Sequence, residues 1–286
     1  MKKALFILLS LYAICANAVT LDQVKFSNEA TDTTKITDIL ISTEKQNFDH
    51  PNDRISYIAH LFLGKPYVAH TLESKTEMLT VNIDEVDCTT FIETVIALAY
   101  TAGEGRYSWR DFIHNLEKIR YRNGRLNGYS SRLHYISDWI IDNTHRGNLK
   151  EVSNIFPFHS YQIKSLYFMS QNRDKYSALN DSTEFKKIKN TEIGYRNHRF
   201  PYIKKENLRK KEVQATFKEG DIVALTTNIK GLDVSHVGFI TIVNNIPHLL
   251  HASSIKGEVT IESKPLHEPL MKSRHNTGIR VIRLTQ

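Results

Sequence analysis

Apolar positions recur at helical spacing through the first half of the chain and at strand spacing through the last third. The segment "NDRISYIAHLFLGKPY" places apolar groups at Ile55, Ile58, Ala59, Leu61 and Phe62. It starts on an Asn or Asp cap and stops at Gly64 before Pro66, which predicts a helix with both punctuation marks. "TTFIETVIALAY" carries Phe91, Ile92, Val95, Ile96, Leu98 and Ala99, a helix apolar on most sides and therefore deeply buried. "SWRDFIHNLEKIRY", capped by Ser108, and "SSRLHYISDWIIDN" predict two further helices, separated by the turn-rich "RNGRLNGYS". "EMLTVNI" is short and β-prone, and residues 19–49 have weak periodicity, which suggests a short lead-in helix and loops.

Beyond residue 216 the period changes. "FKEGDIVALTT", "SHVGFITIV", "PHLLHASS", "GEVTIE" and "GIRVIRL" are short β-rich runs divided by turn residues, the pattern of an antiparallel sheet. Helices first and a sheet afterwards make an α+β layout. The length fits one domain with insertions, or two small ones, and there is no internal repeat.

The first residues, "MKKALFILLSLYAICANAVT", combine Lys2 and Lys3 with an apolar run and the small-x-small site Ala16-Asn17-Ala18. This is the pattern of a secretory signal peptide over 1–18, so the expected product is exported across the inner membrane, into the periplasm, and carries residues 19–286 as a single domain. No later run is long enough to span a membrane. The net charge of +7 falls to +5 when Lys2 and Lys3 leave, too modest to imply nucleic acid and equally suited to an anionic polymer such as a cell wall. Charge is concentrated between 171 and 212, where twelve Lys or Arg face six Asp or Glu; such a run predicts a solvated basic insertion.

Removing the signal also removes Cys15 and leaves Cys88 as the one thiol. A lone cysteine in an oxidising compartment cannot form an internal disulfide and risks mispairing. It could be a small buried hydrophobe, but it stands where a polar run gives way to a helix. A helix N-terminus favours the thiolate through unpaired N–H groups and the macrodipole, so Cys88 is a candidate nucleophile. A nucleophilic thiol needs a histidine base, itself oriented by a third polar group. Of thirteen histidines, His236 in "SHVGFI" and His251 in "LLHASS" lie at ends of strands joined by the hairpin-like "NNIP", which makes them candidate neighbours. His134 and His248 are less well placed. No His-Glu-x-x-His or comparable spacing suggests a metal, and neither metal nor cofactor is expected.

The ordered run "GKPY…VDCTTF…EGDIV…SHVGFI…LLHASS" resembles the NlpC-type cell-wall cysteine hydrolases, a papain-like superfamily, and spans most of Gly64 to Ser254. The resemblance implies a papain-like fold with the nucleophile at a helix N-terminus packed on the C-terminal sheet. It implies Cys88 as nucleophile, His236 as general base and His251 as its orienting residue, with Tyr67, Asp87 and Thr89 lining the substrate pocket. "GRLNGYSSRLHYISDW" and the long spacing from Cys88 to His236 are similar to one branch, associated with N-acetylmuramoyl-L-alanine amidase activity. The pair Thr89-Thr90, where many relatives have Ser-Gly, and the basic segment depart from the pattern. The expected function is hydrolysis of the bond between N-acetylmuramic acid and L-alanine of peptidoglycan. The alternatives are an endopeptidase cutting between D-glutamate and the diamino acid, a non-catalytic wall-binding protein, and an exported cysteine acyltransferase.

Overall fold

The computed structural model describes residues 19–74 and 76–285; the signal-peptide reading of 1–18 lies outside them. The first half supplies strand β1 (Val24–Phe26), helices α1 (Glu29–Glu44) and α2 (Pro51–His60), strand β2 (Leu79–Val81), and helices α3 (Cys88–Gly103), α4 (Trp109–Arg120) and α5 (Ile136–His145). The middle supplies β3 (Leu149–Glu151), β4 (His159–Lys164), α6 (Phe168–Gln171), α7 (Ser182–Gly194), β5 (His198–Lys204) and α8 (Lys211–Gln214). The last part supplies β6 (Ile222–Thr227), β7 (Val234–Val243), β8 (Ile246–Ser253), β9 (Glu258–Ile261), α9 (His267–Lys272) and β10 (Asn276–Leu284). The layout is α+β, as the change of period indicates.

β1 and β2 pair in parallel as a separate ribbon, while the main sheet runs β4-β5-β10-β6-β7-β8-β9, with β3 added on β10. Every pairing in the main sheet is antiparallel. The lead-in region is more ordered than its weak periodicity suggests. α1 covers sixteen residues, capped by Asn28, and buries Ile36 and Leu40 against the core. α2 starts on His50 rather than on Asn52 or Asp53: Pro51 takes the first helical position, and Asp53 reaches back to the His50 N–H at 3.2 Å.

α3 is the central helix, buried from Thr90 to Thr101 and packed on α2, α4 and β7. Phe91, one turn past Cys88, packs tilted on Phe62, just after α2, and edge-on against Phe239 of β7, with ring centroids 5.7 and 5.3 Å apart. Aromatic pairs of this kind add about 0.5–1.5 kcal/mol beyond their burial, and here they fix the start of α3 against the sheet. Below it, Arg120 and Glu93 form a buried ion pair at 2.6 Å, and a second Arg120 N–H donates to the Thr80 carbonyl at 2.7 Å.

The basic segment is not wholly a solvated insertion. β5 lies inside the sheet between β4 and β10, and Leu179, Ile188, Phe200, Ile203 and Leu208 are all buried. The charges crowd its outer surface, so they mask in the sequence a sparse apolar set that is enough to fold it in. No helix among the described residues is long and apolar enough to cross a membrane.

Candidate active site

The thiol is placed by the way α3 begins. Asp87 is the N-cap: its carboxylate accepts from the Thr89 and Thr90 N–H groups at 3.0 and 2.8 Å, and the Thr90 hydroxyl accepts from the Asp87 N–H at 2.8 Å. This reciprocal cap gives the Thr89-Thr90 pair a local purpose. Cys88 is therefore the first helical residue, half-buried, with its sulfur 4.0 Å from the Thr89 hydroxyl.

The histidines are placed by the β7–β8 hairpin. Val243 pairs with Ile246, and Asn244 and Asn245 take φ of 51° and 62°, the left-handed pair of a two-residue turn. The strands then run back to bring His236 and His251 together on one face. Gly238 faces His251, and a Cβ there would lie 3.0 Å from the His251 Cβ and 2.8 Å from the Leu250 carbonyl oxygen. Only glycine leaves room for the second imidazole.

His236 Nε2 stands 2.7 Å from His251 Nδ1, and His251 Nε2 stands 3.0 Å from Glu262 Oε1. This ladder fixes both tautomers. Partial burial alone would raise the Glu262 carboxyl, but the His251 hydrogen bond and the Lys256 charge overcome it and hold it below its ordinary range. An ionised carboxylate only accepts, so His251 Nε2 carries the hydrogen and its Nδ1 is an acceptor. His236 Nε2 must then donate, which leaves the lone pair on His236 Nδ1.

The thiol and this ladder meet at β7. The Val237 N–H, one residue past His236, and the Cys88 N–H both favour the ionised sulfur. They do not prevail: burial, then the Asp87 charge, pushes the thiol up to about 11. Burial, then His251, lowers His236 to about 3. Both shifts favour an uncharged thiol beside an uncharged imidazole. Burial and the carboxylate one residue away thus act against the helix terminus, which by itself favours the thiolate. Tyr67 stands close enough for the Cys88 and Asp87 charges, after burial, to raise its hydroxyl.

Two cavities adjoin these groups. One of about 150 Å³ is polar, lined among others by Asp87, Thr89, Glu93, Glu73, Arg132 and His134. The other, of about 220 Å³, is walled by His236, His251, Glu262, Ser253, Leu249 and Ile255. Asp87 and Thr89 thus line the polar cavity, while Tyr67 lines neither. A larger cavity of about 370 Å³, lined by Tyr167, Lys189 and Arg196, contains none of these groups. Sequence reasoning missed Glu262 and His134. Glu262 closes the ladder from the end of β9, and its only signal is an acid following a β-prone run. His134, set aside in favour of the strand histidines, lines the polar cavity; burial, then Arg132, lowers it to about 3. His248 is buried, with Nδ1 2.9 Å from the Glu262 carbonyl. Among the described residues no three His, Cys, Asp or Glu side chains are grouped to hold a metal ion.

This helical layer on an antiparallel sheet is an architecture shared with solved amidase-like structures. The chain belongs to the AmiA-like family, described as N-acetylmuramoyl-L-alanine amidase-like, which matches residues 57–279. An N-acetylmuramoyl-L-alanine amidase from Bacteroides uniformis ATCC 8492 is similar at 38% identity and a TM-score of 0.78, covering 82% of this chain and 99% of its own. A Bacteroides fragilis protein whose name suggests a xylanase is similar at 41% identity and a TM-score of 0.74, over 79% of this chain and 98% of its own. A Legionella pneumophila str. Philadelphia 1 protein shares the fold at 22% identity and a TM-score of 0.70, over 90% of this chain and 96% of its own. No curated protein matches the chain.

Proposed function

We propose that the protein is an exported, papain-like cysteine amidase that cleaves the bond between the lactyl group of N-acetylmuramic acid and L-alanine. Membership of an amidase-like family supports the substrate class, and the hydrogen-bonded ladder from Glu262 through His251 to His236, on the strand whose Val237 N–H meets the Cys88 sulfur, is the observation that carries the mechanism. As Cys88 Sγ attacks the lactyl carbonyl carbon, its proton passes to His236 Nδ1. The oxyanion takes the Cys88 N–H, with the Tyr67 hydroxyl as the second donor. When the C–N bond breaks, His236 returns the proton to the L-alanine nitrogen. Water then attacks the thioester, losing a proton to His236, and the acid leaves with the thiol restored. His251 and Glu262 hold the base nitrogen toward the sulfur and stabilise the imidazolium as it forms.

The same chemistry would serve an endopeptidase, so the choice of bond rests on the family. Glycosidase chemistry needs two carboxylates flanking the bond. Here Asp87 caps α3, Glu93 is paired with Arg120, and Glu73 is paired with Arg132 at 2.8 Å. The expected location is the periplasm, from the signal-like residues 1–18. The test is Cys88→Ala, a small-for-small exchange at a helix start. Muropeptide hydrolysis should vanish while the melting temperature stays within a few degrees; full turnover in a folded variant would end the thiol reading.

A further inference from the structure

β4 is an edge strand of the main sheet, and its outward residues are not those of a guarded edge. Tyr161 and Ile163, two apart and so on one face, are 47% and 63% exposed, and Phe158 just before the strand is 50% exposed. Exposed sheet edges are ordinarily blunted by charge or proline. Here each aromatic ring is instead backed by a cation. The Arg199 guanidinium lies 3.9 Å from the Tyr161 ring centroid, and the Lys210 ammonium lies 3.5 Å from that of Phe158. His159 meets Tyr161 edge-on at 5.9 Å. Arg199 pairs across from Ile163, so ring, aliphatic side chain and guanidinium share one face.

The charge here is one-sided. From 198 to 212, Arg199, Lys204, Lys205, Arg209, Lys210 and Lys211 face only Glu206 and Glu212. None of the six cations enters an ion pair among the described residues, whereas Lys187 nearby pairs with Glu184 at 2.8 Å. Flat rings suit the C–H faces of pyranose sugars, and unpaired cations suit carboxylates.

We propose that this edge docks a sugar polymer bearing carboxylates, the glycan strand of peptidoglycan with its attached peptides, at a distance from the reacting groups. The partner rests on the peptidoglycan reading above; the surface itself does not depend on the thiol chemistry. Three strands, β5, β10 and β6, separate β4 from the His236 strand β7, a span of roughly 20 Å at the usual strand spacing. Only a polymer of several sugars reaches both places. The basic segment would thus hold the enzyme on intact wall.

The test uses the full chain carrying Cys88→Ala, so that the wall stays uncut, and measures co-sedimentation with purified sacculi and with peptide-free glycan strands. Adding Tyr161→Ser and Arg199→Ser should weaken binding to sacculi about tenfold at low salt, and raised salt should weaken the parent toward the variant. Phe158→Ser with Lys210→Ser is the second pair, and melting curves confirm that each variant is folded. Ile163→Ser alone serves if a pair unfolds. Binding within twofold of the parent in folded variants overturns the proposal. So does a parent that sediments as a dimer which the same substitutions dissolve, since the edge would then pair with a second copy. Glycan strands binding as tightly as sacculi would assign the contact to the glycan with its lactyl carboxylates; sacculi alone binding would assign it to the peptide carboxylates. Either supports the surface. Loss of turnover in Cys88→Ala bears on the nucleophile only.

Discussion

Glu262 sets the direction of the proton ladder, so removing its charge should disarm a base it never touches. In Glu262→Gln the side-chain shape persists, but the replacement can donate as well as accept. His251 is then free to carry its hydrogen on Nδ1, which pushes the His236 hydrogen onto Nδ1 and removes the lone pair that the proposed base needs. A hydrogen bond to a charged group contributes about 1.5–3 kcal/mol. Glu262 is 23% exposed and shares its other oxygen with Lys256 at 3.4 Å, so the lower end applies. About 1.5 kcal/mol corresponds to about a tenfold fall in kcat. Glu262→Leu also strands a buried N–H of His251 and should cost about a hundredfold. Steady-state hydrolysis of a soluble muropeptide, with melting curves alongside, reads both. If folded Glu262→Leu retains kcat within twofold, the ladder does not orient the base.

Two further outcomes follow from the same geometry. The Cys88 thiol, moved from 9.0 to about 11, should hold about a hundredfold less thiolate at neutral pH than an unperturbed cysteine. Raised pKa means ionisation comes late, so its alkylation by iodoacetamide should climb about tenfold per pH unit through pH ~10 without levelling; a plateau below neutral pH would reveal a preformed ion pair instead. Breaking the Arg120–Glu93 pair, both side chains 2% exposed, with Arg120→Met should destabilise by about 3–5 kcal/mol in urea titration, and adding Glu93→Leu should recover most of it; a single variant as stable as the parent would refute the stranded-charge argument.

The pattern of apolar positions carried the helices α2 to α5, strand β2 and the C-terminal strands, because each buries a continuous stripe that shows in one stretch of sequence. It did not carry β3, β4 or β5. β3 and β5 pair with β10, more than seventy positions away, β4 joins the sheet only through β5, and β4 and β5 are coated with charge and exposed aromatics. The pairing of His236 with His251 was legible because a two-residue turn sets hairpin register. Glu262 was not, since its role depends on which imidazole nitrogen it meets. The thiol's elevation was also hidden: helix position is visible in sequence, but burial and the approach of β7 are not.

The central claim concerns which bond is cut. Mass spectrometry of purified wall fragments after digestion measures it directly, by locating the new amino end. The account predicts free L-alanine amino ends and intact stem peptides released from glycan. New amino ends on the diamino acid would contradict it and make the protein an endopeptidase.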